Sequence, residues 1–307
     1  MKNKNWLGPI AIIFACLLWA LDTLVRYPLI SRGVSAVDIV FFEHLILLLP
    51  SLLLLRFRKF DWRKIDKMDA FSLLVIGGGG SAAATYFFTK SFILLNPSVV
   101  IILQKFQPVV AILLTKWVLG EKTNRSFIVW AALSMLGAFL LSFSDVKQLF
   151  VLSEFSSVVG LELFWAYVMV FLSIVLWGSS TVFGRRLALR QYHFSEIAAL
   201  RFIFAFICLL PFIASIQWTN QIVELQFQLS ILLMVLLSGI FAMSFYYLGL
   251  KTVSAKNSSL LELFFPFFAI MINWFILNQQ LELIQLVGAL ILIFSSTMLL
   301  RFEREQT

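Results

Sequence analysis

Apolar stretches long enough to cross a bilayer recur from one end of this chain to the other, and that recurrence leaves few folds open. A helix needs about 20 mostly apolar residues to span the hydrocarbon core. With charge clusters, Pro and Gly as punctuation, such stretches fall at 8–29, 36–55, 70–94, 97–119, 125–144, 161–188, 194–215, 228–251, 256–277 and 283–301. Open strands cannot face lipid with unpaired backbone, and the stretches lack the alternation of barrel strands. An all-α membrane protein with ten transmembrane helices is expected. Composition agrees: 61% of the residues are hydrophobic and 13% charged, against about half and about a quarter in a soluble domain. The first stretch follows Met1 to Asn5 and runs on without a small-residue cleavage site, so it reads as a retained helix rather than a signal peptide.

The net charge is +8, and its placement gives an orientation. The basic clusters around 56–67, 116–125, 185–190 and 251–256 all fall on one side of a ten-helix path, whereas Arg26, Arg32 and Lys147 fall on the other. The positive-inside rule then puts both termini in the cytoplasm, with the bacterial cytoplasmic membrane as the expected setting. Lipid, not nucleic acid, is the partner such charge implies. Cys16 and Cys208 lie in apolar runs without clustered Cys or His, so neither a disulfide framework nor a metal site is expected, and they read as packing residues. No cofactor motif occurs. Monomer and homodimer both stay open.

The chain also aligns with itself. Shifted by 158 residues, Leu18-Trp19 falls on Leu176-Trp177, Thr23 on Thr181, Arg32 on Arg190, and Phe106 and Pro108 on Phe264 and Pro266. Two repeats follow, 1–150 with helices 1–5 and 151–307 with helices 6–10. Five spans is an odd number, so the second copy must enter the membrane from the opposite side. A five-plus-five inverted repeat is a transporter architecture, with the substrate between the halves and access alternating between the two sides.

The segment from Pro108 through VVAILLTKWVLGE to Glu121, with Trp19, Trp177 and Arg201, resembles the EamA-like permeases of the drug/metabolite transporter superfamily. The resemblance spans nearly the whole chain. It implies a ten-helix carrier, often an exporter of amino acids or related metabolites, whose cavity is lined by helices 1, 3, 4, 6, 8 and 9. Two positions depart from the pattern: Glu43, where many relatives carry Arg, and Gln279, the counterpart of Glu121.

Polar residues within the spans are the candidate site. Trp19, Asp22, Thr23 and Arg26 share a helical face, and Trp177, Ser180, Thr181 and Gly184 repeat the spacing. Gln104, Lys105 and Gln107 precede Pro108; Ser258 and Glu262 precede Pro266. Each proline removes a donor and kinks its helix, and matched broken polar helices point to a transport site. Tyr86, Lys90, Tyr246 and Tyr247 add donors. Gly77 to Gly80 lack the Lys-Ser/Thr of a phosphate loop and read as close packing. Intramembrane charges need partners; two pairs are expected, Glu43–Lys105 and Arg201–Glu262, acting as gates or as permanent bridges. A proton is a possible coupling ion, with Glu262 and Asp22 its best carriers and His44 a weaker one.

Both charge signs occur among these residues, which suits an amino acid or related zwitterion moved by a secondary active transporter, expected to export. The alternative substrate is an organic amine, cation or drug-like compound held by the aromatic walls. An enzyme would need a nucleophile with its base, or a metal cluster. The two histidines and two cysteines assemble neither, so no catalytic residue is expected.

Overall fold

The computed structural model describes residues 6–95, 100, 103–141, 143, 160–217, 220–277 and 282–306; Lys147 and Gln279 lie outside them. The described residues form helices and no strand. In chain order these are α1 (Leu7–Ser31), α2 (Ala36–Phe57), α3 (Lys67–Leu94), α4 (Gln107–Leu119), α5 (Arg125–Leu141), α6 (Gly160–Leu189), α7 (Phe194–Leu209, continued as a 3-10 turn Leu210–Ser215), α8 (Leu225–Leu250), α9 (Ala255–Leu261 and Phe264–Leu277) and α10 (Leu283–Gln306). Eight candidate spans are long and apolar enough to cross a membrane; α4 and α5 are apolar but shorter as described. The protein is an integral membrane protein.

Helix starts follow local chemistry. Ser35, Asp66 and Asn124 accept the free N–H groups of Asp38, Asp69 and Phe127. At α7, His193 and Glu196 form a reciprocal capping box. Gly120 ends α4 with φ +67°, a left-handed conformation that carries no penalty without a Cβ.

Small residues let helices approach where lipid offers no hydrophobic drive. A Cβ on Gly137 of α5 would lie 2.8 Å from the Gly288 carbonyl oxygen of α10, and the Ser134 hydroxyl donates to Ser295 at 2.8 Å across the same seam. On Gly77 of α3 a Cβ would meet the Arg201 carbonyl oxygen of α7 at 2.5 Å.

Two departures from regular helix stand out, and both recur at the 158-residue offset. Residues Leu74–Ala83 of α3 and Val235–Ala242 of α8 are wound as π-helix. Shifted by the offset, the first covers 232–241 and overlaps the second. Such wide turns concentrate at functional positions. The second departure is the break predicted at the prolines. A turn at Lys105–Phe106 precedes α4, and one at Glu262–Leu263 divides α9. Pro108 and Pro266 cannot donate to the carbonyls of Gln104 and Glu262 four residues back. At α9 the Glu262 carbonyl instead accepts from Phe265 N–H at 3.0 Å, and the Cys16 thiol of α1 lies 3.6 Å from the Leu261 carbonyl oxygen. Cys16 thus serves the break as well as the packing.

One end of the bundle gathers the basic loops. Arg186 and Arg190 at the end of α6 reach Asp69 of α3 at 2.7 and 3.3 Å, Arg190 reaches Asp66 at 2.6 Å, and the Tyr192 hydroxyl donates to Asp69 at 2.8 Å. Burial and then the Asp69 carboxylate hold the Tyr192 phenol well above its ordinary range, so it stays a donor. At the same end Arg185 donates to the Leu250 carbonyl, and Lys256 to that of Lys122 at 2.6 Å. Asp69 is fully buried, 0% exposed. Asp69→Ala would strand Arg186 and Tyr192, and removing one partner of a buried pair costs about 3–5 kcal/mol; partial exposure of Arg186 and Arg190 places the expected loss near the bottom of that range. The unfolding midpoint of the purified variant should fall by several degrees, whereas Arg190→Gln, at a half-exposed position, should shift it little.

Candidate functional site

The polar centre is assembled from helices of both halves of the chain, around the break in α9. Glu262 projects from the turn itself. Its carboxylate accepts hydrogen bonds from the Thr181 hydroxyl of α6 at 3.0 Å, the Tyr246 hydroxyl of α8 at 2.7 Å, and the Gln107 amide of α4. Tyr246 and Thr181 also lie 2.8 Å apart, oxygen to oxygen. The three donors are neutral, so hydrogen bonds rather than a contacting cation hold this carboxylate. Trp19 of α1 packs on Tyr246 with ring centroids 5.4 Å apart. Trp19 and Glu262 are half-buried, whereas Gln107, Thr181 and Tyr246 are buried. The centre therefore sets an aromatic face beside a hydrogen-bonded carboxylate within a closely packed frame.

Beside it lies a second polar group. Arg201 of α7 donates to Ser180 and to the Tyr247 hydroxyl, each at 3.0 Å, and to Ser81 in the π stretch of α3. Trp177 of α6 packs on Phe88 of α3 at 4.8 Å and donates through Nε1 to the Gly80 carbonyl at 2.9 Å. Gly80 permits this approach, since a Cβ there would collide with the Ser180 hydroxyl at 2.3 Å. Trp19 matches Trp177 at the 158-residue offset, and Tyr246 matches Phe88. The same tryptophan–aromatic contact therefore occurs twice, each time between α1 or α6 and α8 or α3.

The charges pair differently from the sequence expectation. Glu43 of α2 binds Arg26 at 3.0 Å and accepts from Ser238 of α8 at 3.2 Å; Arg26 also binds Asp22 at 2.9 Å. Glu43 thus pairs with Arg26, a partner the sequence expectation did not name. Charge counting assigns Arg26 to the outer side, but it lies within α1, which runs on to Ser31, and its side chain pairs inside the bundle. The expected Arg201–Glu262 pair is replaced, Arg201 by hydroxyl partners and Glu262 by neutral donors. The reason is radial placement. Depth along a span suggested both pairs, but Glu43 and Arg201 each face a π stretch of the other half of the chain.

Among the predicted site residues, Trp19, Gln107, Thr181, Tyr246 and Glu262 form one cluster, with Trp177 beside the neighbouring Arg201 group. Asp22 belongs to the Arg26–Glu43 cluster. Thr23 donates to the Ala20 carbonyl of its own helix at 2.6 Å, and Tyr86 accepts from Lys90 at 3.1 Å. Gln104 is half-buried before the turn, Lys105 is buried on it, and Ser258 is buried in the short half of α9. Sequence reasoning missed Ser81, Ser238 and the Arg26 pairing. The Asp22/Arg26 spacing of four was the available signal, because acid before base at that spacing pairs on a helix. No group of His, Cys, Asp and Glu among the described residues could hold a metal ion.

Apolar spans that close around a polar centre with a half-buried carboxylate and aromatic faces define a membrane protein built to admit a small solute. The chain belongs to the EamA-like transporter family, which matches it twice, at residues 6–143 and 164–301. The two matches are offset by the shift at which the sequence aligns with itself. A curated relative, the riboflavin transporter ImpX of Fusobacterium nucleatum subsp. nucleatum (strain ATCC 23726 / VPI 4351), is 29% identical over 300 residues, covering 94% of this chain and 95% of its own. A crystal structure of another protein superposes with a TM-score of 0.70 at 14% identity, covering 94% of each chain, a likeness of fold alone. The protein is a transporter of a small molecule.

Proposed function

We propose that this chain is a secondary carrier of riboflavin or a similar planar, hydroxylated aromatic, working by alternating access between two inverted five-helix repeats. The observation that carries the reading is the centre itself: Trp19 on Tyr246, with Glu262 half-buried beside them at the break of α9. An aromatic face stacks a ring system, and a carboxylate with nearby amide and hydroxyl groups suits the ribityl hydroxyls and ring N–H of a flavin. The relative's name points the same way.

The amino-acid expectation required a cation for the substrate carboxylate. That expectation drew on Lys105 and Lys90; Lys90 donates to the Tyr86 hydroxyl at 3.1 Å, and the Arg201 guanidinium is engaged by Ser81, Ser180 and Tyr247. The groups that hold Glu262 are hydroxyls and an amide, which suit a neutral, hydroxylated ligand. Three features support the repeat reading: the double family match, the paired π stretches and the duplicated tryptophan–aromatic contact. With ten helices and the basic end in the cytoplasm, the close packing of α4 against the short half of α9 would shut the cytoplasmic side.

The test is thermal stabilisation of purified protein across riboflavin, amino acids and organic amines, since a ligand that binds only the folded state raises its stability by mass action. Riboflavin is expected to stabilise it, and Trp19→Ala to weaken the apparent affinity about two- to tenfold, the scale of one lost aromatic contact of about 0.5–1.5 kcal/mol. Stabilisation by an amino acid and not by riboflavin would overturn the substrate assignment.

A further inference from the structure

Away from the Glu262 centre, one buried cluster carries a charge that its own members leave unbalanced. Asp22 and Glu43 share the single guanidinium of Arg26, at 2.9 and 3.0 Å. Two carboxylates against one cation leave an excess negative charge inside the membrane-spanning region, where uncompensated charge is costly and tends to be functional. The other groups around the cluster are His44, beside Glu43 on α2; Ser238 on α8; and Arg201 on α7. Arg201 is bound to hydroxyls of its own group. Ser238 is neutral.

Three of the four carboxylate oxygens are in use. Glu43 Oε2 accepts from Arg26 and Oε1 from Ser238, and Asp22 Oδ2 accepts from Arg26. Asp22 Oδ1 is buried with no hydrogen-bond partner, on a residue only 5% exposed. It is the oxygen of the four that can take a proton without breaking an existing bond. His44 is the competing acceptor: its Nδ1 lies 2.8 Å from the Val40 carbonyl, which makes Nδ1 the protonated nitrogen and leaves Nε2 bare. A proton on Nε2 would create an imidazolium with no carboxylate in contact, whereas a proton on Asp22 creates a neutral acid and removes the excess charge.

We propose that Asp22 is the proton-binding site of this transporter, taking one proton on Oδ1 from water on one side and releasing it to water on the other in each cycle. Resting on the carrier reading above, this separates the coupling ion from the substrate: the proton at Asp22, the solute at Glu262. The two sites are mechanically joined, since Trp19 lies one turn before Asp22 on α1, and Ser238 and Tyr246 both belong to α8.

The experiment uses the full-length protein in liposomes that enclose a pH-sensitive dye, with a riboflavin gradient imposed. Wild type should move riboflavin and protons together. Asp22→Asn, which keeps shape and an acceptor for Arg26, should keep riboflavin counterflow and lose the proton movement; His44→Gln should keep both. Proton movement that survives in Asp22→Asn, or wild-type riboflavin flux without protons, would overturn the proposal. If wild type moves no riboflavin, the substrate assignment fails, and the proton site is judged on its own by infrared difference spectra of a pH titration. The carbonyl band of a protonated carboxylic acid should then appear in wild type and Glu262→Gln and vanish in Asp22→Asn. Should that variant not fold, Asp22→Glu should shift the band in frequency. A band lost with Glu262 instead, or unmoved by any change at Asp22, would overturn it.

Discussion

Glu262→Gln is expected to reduce transport to less than a tenth of wild type while leaving the fold intact. The carboxylate accepts from Thr181, Tyr246 and Gln107 at once, and all three are donors aimed at one acceptor group. Gln has the same length but offers one acceptor oxygen and brings an NH2 that opposes a donor. Hydrogen bonds to a charged group contribute about 1.5–3 kcal/mol each. Losing one such interaction to substrate lowers affinity by about 10- to 100-fold. The opposed donor costs about 1–3 kcal/mol, and removing a buried charge offsets part of that, so the unfolding midpoint should move by no more than a few degrees. Uptake by cells expressing the variant, read beside its unfolding midpoint, separates the two effects. Wild-type transport by Glu262→Gln would show that this carboxylate is scaffolding and not site.

Gly77→Val should leave almost no folded protein, and Gly79→Ala, two residues on, should be tolerated. A Cβ on Gly77 would stand 2.5 Å from the Arg201 carbonyl oxygen and 2.9 Å from the Ala205 nitrogen, both backbone atoms of α7 that cannot rotate away. On Gly79 the single near neighbour is a methyl of Leu176 at 3.1 Å, the end of a flexible side chain. Overpacking costs about 1–3 kcal/mol. Pushing α7 outward also draws Arg201 from Ser81 and Ser180, and a buried charge stripped of partners adds about 3–5 kcal/mol. Yield of monodisperse protein and its unfolding midpoint measure the contrast. Equal tolerance at both positions would mean that α3 and α7 do not meet backbone to backbone at Gly77.

The two substitutions probe different kinds of legibility. Glu262 is visible in the sequence as an acidic residue in an apolar span four residues before a proline, and Trp19 and Trp177 are visible because they coincide under one shift of the chain. The glycine run is visible as close packing, but not the helix it packs against. The π winding of α3 and α8 leaves no pattern in residue type: the two stretches read LVIGGGGSAA and VLLSGIFA, and at the 158-residue offset both are small only where Gly80-Ser81 meet Ser238-Gly239. The ion pairs escape for a similar reason. Depth in the membrane can be counted along a span, but the direction in which a side chain points around the bundle depends on how neighbouring helices are rotated and tilted.

Apolar length, basic clusters and self-alignment are properties of the chain taken one span at a time, because the bilayer imposes the same thickness on every helix and each helix satisfies its own backbone. Helical membrane character, span positions, the repeat offset and the proline breaks are therefore written in the residues themselves. Partnership is not. That Arg26 serves both Asp22 and Glu43, that Arg201 rests on serines and a tyrosine, and that Gln107, Thr181 and Tyr246 converge on Glu262 depend on azimuths that only packing of all the helices decides. Side chains from α1, α4, α6, α8 and α9, far apart in the chain, meet at one place because small residues let those helices close on one another, and no single span encodes that meeting.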